Sequence, residues 1–192
     1  MIDKKYKIIL ASKSPRRAKL LRQINLNFKV ITAGTEETIH KNEKPADVVK
    51  RLSKEKLEAV LPKVKAGIII SADTIVVLNN KIIGKPKDEK DAEKILKKLS
   101  ANTHYVYTGF SVYNLYNGKR VTSYQKTAVT FRKLQQKEII EYIKTGSPMD
   151  KAGAYGIQDD FGAVFVEKIN GDYYNVVGLP LTKLYNTLTG II

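Results

Sequence analysis

Ile68-Ile-Ile-Ser-Ala-Asp73-Thr74-Ile-Val-Val77 is the stretch on which the fold turns. Its apolar, β-branched run has the length and composition of a strand inside the protein. A bend is expected at Ala72-Asp73. Working upstream, Pro45 to Leu61 reads as an amphipathic helix, and Phe28 to Thr32 and Lys7 to Ala11 as further strands. Between these two strands, Ser14-Pro15 opens a helix, since serine caps well and proline is pre-set for the first helical position. Ala18, Leu20, Leu21 and Ile24 supply its apolar face. Downstream, Asp88 to Leu99 is a helix with an acidic start. Tyr105 to Tyr116 and Arg120 to Phe131 are rich in Tyr, Val and Thr and flank Asn117-Gly118, a hairpin signal. Lys137 to Lys144 predicts a helix closed by Gly146, Phe161 to Ile169 a strand, and Leu181 to Leu188 a last helix. Strands and helices alternate early and a hairpin follows. The prediction is α/β: one unit around a mixed twisted sheet flanked by helices, split into two lobes with a central cleft.

The 192 residues suit a single domain, 1–192. No apolar run approaches the roughly 20 residues of a membrane helix. Met1-Ile-Asp-Lys-Lys5 lacks a signal-peptide core, so a cytoplasmic location and no membrane partner are expected. With no cysteine, disulfides, thiolate zinc sites and Cys–His catalysis are excluded. His40 and His104 are the only imidazoles, so any metal should be hard and oxygen-bound, Mg2+ or Mn2+. The net charge is +15, with an excess of +10 over residues 1–96 and +5 over 97–192. That spread favours polyanionic partners without a concentrated nucleic-acid footprint.

Three places break local rules, and such places tend to be functional. Ser12-Lys-Ser-Pro-Arg16-Arg17 puts two arginines in a first helical turn, the wrong sign for the helix dipole. Hydroxyls, unpaired backbone N–H groups and two guanidinium groups together describe an anion site; a solvent-exposed arginine pair is the plain alternative. Lys56 falls within the apolar stripe of its helix beside Val49, Leu52 and Val60, with Lys50, Arg51, Lys54 and Glu58 opposite. It must either snorkel out or meet a buried anion. A lysine in the middle of an apolar stripe should cost stability, and methionine fits that face better, so methionine at 56 should preserve or raise stability. Asp73 is a carboxylate inside an apolar strand, which needs a cation, a metal or a hydrogen-bond network. An Asp-anchored turn would also suit it. Gly84-Lys85-Pro86 follows, without the spacing of a Walker motif, because Asn79 stands where the first glycine belongs.

These same residues carry a family resemblance. Leu10-Ala-Ser-Lys-Ser-Pro-Arg-Arg17, Glu36-Glu37, Arg51-Leu-Ser-Lys-Glu-Lys56, Ser71-Ala-Asp-Thr-Ile-Val76, Gly84-Lys-Pro-Lys-Asp88, Asp150-Lys-Ala-Gly-Ala-Tyr-Gly-Ile-Gln158 and Gly171-Asp-Tyr-Tyr-Asn-Val-Val-Gly-Leu-Pro180 resemble, in order, the motifs of the Maf family of nucleotide pyrophosphatases. The similarity runs from about Ile8 to Leu184. It implies an ITPase-like mixed α/β fold with two lobes, a homodimer, and cleavage of a nucleoside triphosphate between its α and β phosphates. It implies Asp73 as general base, Lys56 and Lys85 as phosphate-binding lysines, and Glu37 as an acidic active-site residue. Arg16, Thr74 and Gln158 match positions tied to base selection in the branch associated with dTTP and UTP. The 7-methyl-GTP branch carries instead a tryptophan before the arginines and a glutamine after the aspartate. Asp159-Asp160 departs from the family, which continues with glycine after Ile-Gln.

Combined with the charge pattern, these residues define an expected site. Ser12, Arg16, Arg17, Lys56 and Lys85 bind phosphates, and Glu37 and Asp73 hold the divalent ion. Two competing readings are a nucleic-acid-binding protein, which has charge but no recognised module, and a regulator of septum formation that binds nucleotide without turnover.

Overall fold

Parallel pairing of three apolar segments starts the sheet. β1 (Ile8–Leu10) lies between β2 (Phe28–Val30) and β3 (Ile68–Leu78), with Ile8 opposite both Phe28 and Ile68. The structure is a computed structural model that describes residues 2, 6–158 and 161–192. Among the described residues seven strands form one sheet, six of them in the order β2-β1-β3-β5-β6-β7, where β5 is Thr103–Asn114, β6 Arg120–Phe131 and β7 Val166–Asn170. A short β4 (Lys81–Ile83) pairs antiparallel with β3, Val76 opposite Ile83. The mixed sheet expected from the sequence is therefore present, with helices packed on it. By internal contacts the chain divides into two compact units: Met1–Asp73, Thr108–Gln125 and Gly178–Ile192, and Thr74–Tyr107 with Lys126–Val177.

In the first unit, α1 (Pro15–Gln23) begins as predicted, with Ser14 as N-cap and proline in its first turn. α2 (Pro45–Val60) buries Val48, Val49, Leu52, Ser53, Leu57 and Val60. Leu57 and Val60 join Ile9, Ala11 and Ile69 in a core cluster. α2 also lies directly on the backbone of β5, because a Cβ at Gly109 would collide with the carbonyl of Val49. α6 (Leu181–Ile191) buries Leu181, Leu184, Leu188 and Ile191.

The second unit packs α3 (Glu89–Leu99) and α4 (Gln136–Lys144) around an aromatic core. Phe131, Tyr142, Tyr155 and Phe165 meet there edge to face. His104, fully buried, is bonded through Nε2 to the Tyr155 hydroxyl at 2.8 Å.

Three local expectations are corrected. Phe161–Phe165 is a 3-10 turn, not the start of a strand, and β7 begins at Val166. Gly162 and Phe165 are the buried positions, a spacing of three that suits a 3-10 helix and not the alternation of a strand. The β5–β6 turn is wider than an Asn-Gly pair, because strand pairing stops at Asn114 and Arg120. Asn114 and Asn117 instead donate their side-chain amides to the Ile191 carbonyl, both at 2.8 Å. The segment Tyr173–Val177, unassigned from the sequence, is a short helix, α5. Asp159-Asp160 lies outside the described residues. Among those described, no helix is long and apolar enough to cross a membrane.

Candidate active site

Asp73 sits in the interior of β3 and is 4% exposed. Such a carboxylate is costly to bury unless a cation answers it, and Lys56 does. The Lys56 ammonium is ion-paired to Asp73 Oδ1 and also donates to Glu37 Oε1 at 2.7 Å. Lys56 reaches both from the buried side of α2 and keeps only 16% of its side chain exposed, whereas Glu37 is 46% exposed. Of the two sequence readings of Lys56, the structure supports the buried anion. The expected effect of methionine at 56 changes sign accordingly, because its removal would strand the Asp73 charge.

The two arginines of α1 differ. Arg17 is buried, its Nε donating to the Gly178 carbonyl at 2.8 Å and its Nη1 to Ser12 Oγ at 3.1 Å. Arg16 is half-buried. The picture of an exposed arginine pair is thus wrong for Arg17. Ser12 Oγ accepts from the Ser14 backbone N–H at 3.2 Å as well, so this hydroxyl braces the turn and the guanidinium. Burial pushes the Arg17 guanidinium below its ordinary range. Asp73 opposes that shift, Arg16 reinforces it and Glu37 opposes it, which places all three charges within Arg17's field.

Ser12, Arg16, Arg17, Glu37, Lys56 and Asp73 therefore belong to the first unit, most of them linked by direct contact or by their fields. Thr74, Lys85 and Gln158 belong to the second. Thr74 follows Asp73 on β3 and is half-buried, Lys85 is exposed beside buried Pro86, and Gln158 is half-buried. The loops bearing the last two are tied together: the Gly153 N–H donates to the Gly84 carbonyl at 3.1 Å. Gly153, at φ 75°, also lies so close to Val76 that a Cβ would come within 2.9 Å of its methyl group. A glycine is required there on both counts.

Among the described residues no group of three or more His, Asp or Glu side chains could hold an ion unaided. Glu37 and Asp73, which both contact the Lys56 ammonium, are the two carboxylates available to a magnesium-type ion, which commonly takes one or two carboxylates and completes its shell with substrate phosphates and water.

Sequence reasoning missed a set of buried hydrogen-bonding side chains. Ser71 Oγ donates to the Ser53 carbonyl at 2.6 Å, and Ser53 Oγ and Ser111 Oγ share a hydrogen bond at 3.0 Å. A serine two residues before Asp73 in an apolar strand was the available signal. Asn175, buried in the Gly171–Pro180 motif, donates to the Val106 carbonyl at 3.0 Å and Thr127 Oγ1 at 2.8 Å.

A dTTP/UTP pyrophosphatase of Dictyoglomus turgidum is 50% identical over 94% of this chain and 94% of its own length. Those of Aquifex aeolicus and Clostridioides difficile are 48% and 46% identical, over 95% and 94% of this chain and 94% and 93% of theirs. A solved structure, the Staphylococcus aureus Ham1 protein, is similar at 16% identity over 65% of this chain and 71% of that chain, with a TM-score of 0.47. The family model described as Maf-like protein matches residues 7–191, and the chain belongs to that family.

Proposed function

We propose that the protein hydrolyses dTTP and UTP to the nucleoside monophosphate and pyrophosphate. The observation that carries the reading is Asp73, a buried carboxylate held by Lys56 within the field of a buried arginine. The names of relatives at about half identity point the same way.

In this reading the triphosphate's negative charge is met by Arg16, Arg17, Lys56 and Lys85. Its oxygens compete with Asp73 and Glu37 for the Lys56 ammonium. Asp73 takes a proton from the attacking water. The new bond joins the water oxygen to the α-phosphorus, the bond from that phosphorus to the α–β bridging oxygen breaks, and pyrophosphate departs with that oxygen. A divalent cation held by Glu37 and Asp73 would supply further charge neutralisation on the phosphate oxygens.

Base choice is assigned to Arg16, Thr74 and Gln158. The Gln158 amide both donates and accepts, matching the alternating edge of uracil and thymine, and a cytosine edge would leave polar groups unpaired. The proposed assembly is a homodimer, to be read by light scattering.

The test is kcat/KM for pyrophosphate release from dTTP, UTP, CTP, GTP and 7-methyl-GTP, with and without excess EDTA. dTTP and UTP should lead and chelation should stop turnover. Orthophosphate as first product would overturn the reaction; a lead for CTP or 7-methyl-GTP would overturn the base assignment alone.

A further inference from the structure

We propose that Ser71 is a positioning residue: its hydroxyl sets the axial register of α2 on β3 and thereby the meeting of Lys56 with Asp73. The inference deepens the reading above and rests on it for its kinetic part.

Two rungs join the same two elements. Ser71 and Asp73 are two apart on a strand, so they share a face. Ser53 and Lys56 are three apart on a helix, so they share a side. The first rung is the Ser71 hydroxyl donating to the Ser53 carbonyl at 2.6 Å. The second is the ion pair of Lys56 with Asp73. Each helical residue advances about 1.5 Å along the axis, so a slip of one residue would break the first rung and displace the second.

The first rung has the properties of a register mark. Ser53 and Ser71 are both fully buried, so water does not compete for the bond. Ser53 Oγ is used in turn by the Lys50 carbonyl at 2.9 Å and by Ser111 Oγ at 3.0 Å. Ser111 Oγ pairs on with Thr122 Oγ1 at 2.9 Å. Gly109 fixes the height of the same helix, since any side chain there would strike the Val49 carbonyl. Apolar packing sets how deeply α2 sits but is tolerant of sliding; a directional hydrogen bond is not. The second rung alone is a poor ruler, because a lysine side chain has four rotatable bonds.

The test is Ser71→Ala, with Ser71→Cys as a near-isosteric variant that keeps a weak donor. In steady-state dTTP hydrolysis, Ser71→Ala should lower kcat about tenfold with little change in KM, on the scale of a small misplacement of a reacting group. Ser71→Cys should fall between. In a Lys56→Met background the kinetic effect of Ser71→Ala should vanish, while its shift in melting temperature carries over unchanged. A second readout needs no turnover. An NMR spectrum selective for lysine ammonium groups should show a Lys56 signal, identified by its loss in Lys56→Met, that moves or broadens in Ser71→Ala. The Lys50 signal, from an ammonium held by Asp47 on the same helix, should stay. A kinetic factor equal in both backgrounds, wild-type kcat in Ser71→Ala, or an unmoved Lys56 signal would overturn the proposal. A wild-type protein inert toward dTTP would overturn the nucleotide reading and leave the register to the spectrum.

Discussion

The two units bury their titratable side chains by opposite means. In the first, the buried side chains around Asp73 carry full charges, matched against one another: Lys56 to Asp73 and Glu37, Arg17 near both carboxylates. In the second, His104 is buried among Phe131 and Tyr155 with no ion pair among the described residues, and burial pushes its pKa down to about 4. Burial likewise pushes the Tyr155 hydroxyl up. One interior keeps charge by supplying counter-charge; the other discards charge by shifting ionisation. A centre of the first kind costs stability and is kept where chemistry needs ions, whereas one of the second kind is a core that holds its hydrogen bond while staying neutral.

The strongest way to break this contrast is at Asp73. Asp73→Asn keeps the shape and the partner but removes the charge, so it should fold and yet lose at least about 10²-fold in kcat, the scale of a positioned base. Near-normal turnover in the folded variant would move the first centre into the structural class. Lys56→Met comes next. It should lower the melting temperature, lower kcat by at least the roughly tenfold expected of Ser71→Ala, and raise KM for the triphosphate. Its cost should lie at the low end of the roughly 3–5 kcal/mol typical of breaking a buried pair, since Arg17 still lends Asp73 positive charge. Adding Asp73→Asn should restore the melting temperature without restoring activity. If Lys56→Met melts at or above the wild-type temperature, the counter-charge account is wrong.

His104 sharpens the other side. Its folded pKa of about 4 lies below the ordinary value of 6.5. Between these values the unfolded chain binds the extra proton. Stability from this group is therefore fully present above about pH 6.5 and lost as pH falls toward 4, by up to about 3 kcal/mol. Melting curves at pH 7.5 and 5 should show this loss, and His104→Phe should flatten the slope over that window. An equal slope in both proteins would deny the neutral core. The smallest effect belongs to the surface: Lys97→Ala, which removes an exposed pair with Glu93, should leave activity and melting temperature where they were.

How much of this was legible in the sequence follows from the range of the forces involved. Ser14-Pro15 announced α1 because capping is local, and the apolar stripe of Pro45 to Leu61 announced α2 because periodicity is local. Asp73 and Lys56 were legible as violations, a charge where the pattern demands none. Their pairing was not, since nothing in the order of residues shows that 56 and 73 meet. The difference between Arg16 and Arg17 was hidden for the same reason, as it depends on a carbonyl at 178. Ser71 and Ser53 passed as filler because serine fits many environments and its hydroxyl bonds across tertiary space. Phe161 to Phe165 was misread because a short aromatic stretch suits either period. Only burial at 162 and 165 decides between them.

The bond from Arg17 to the Gly178 carbonyl spans 161 positions of sequence. It also spans time. At 5–20 residues per second, the acceptor leaves the ribosome's catalytic centre roughly 8–30 s after the guanidinium that needs it. Through that interval Arg17 lacks the carbonyl that receives its Nε. The turn from Ser12 to Arg17 is thus made well before the residue that completes it.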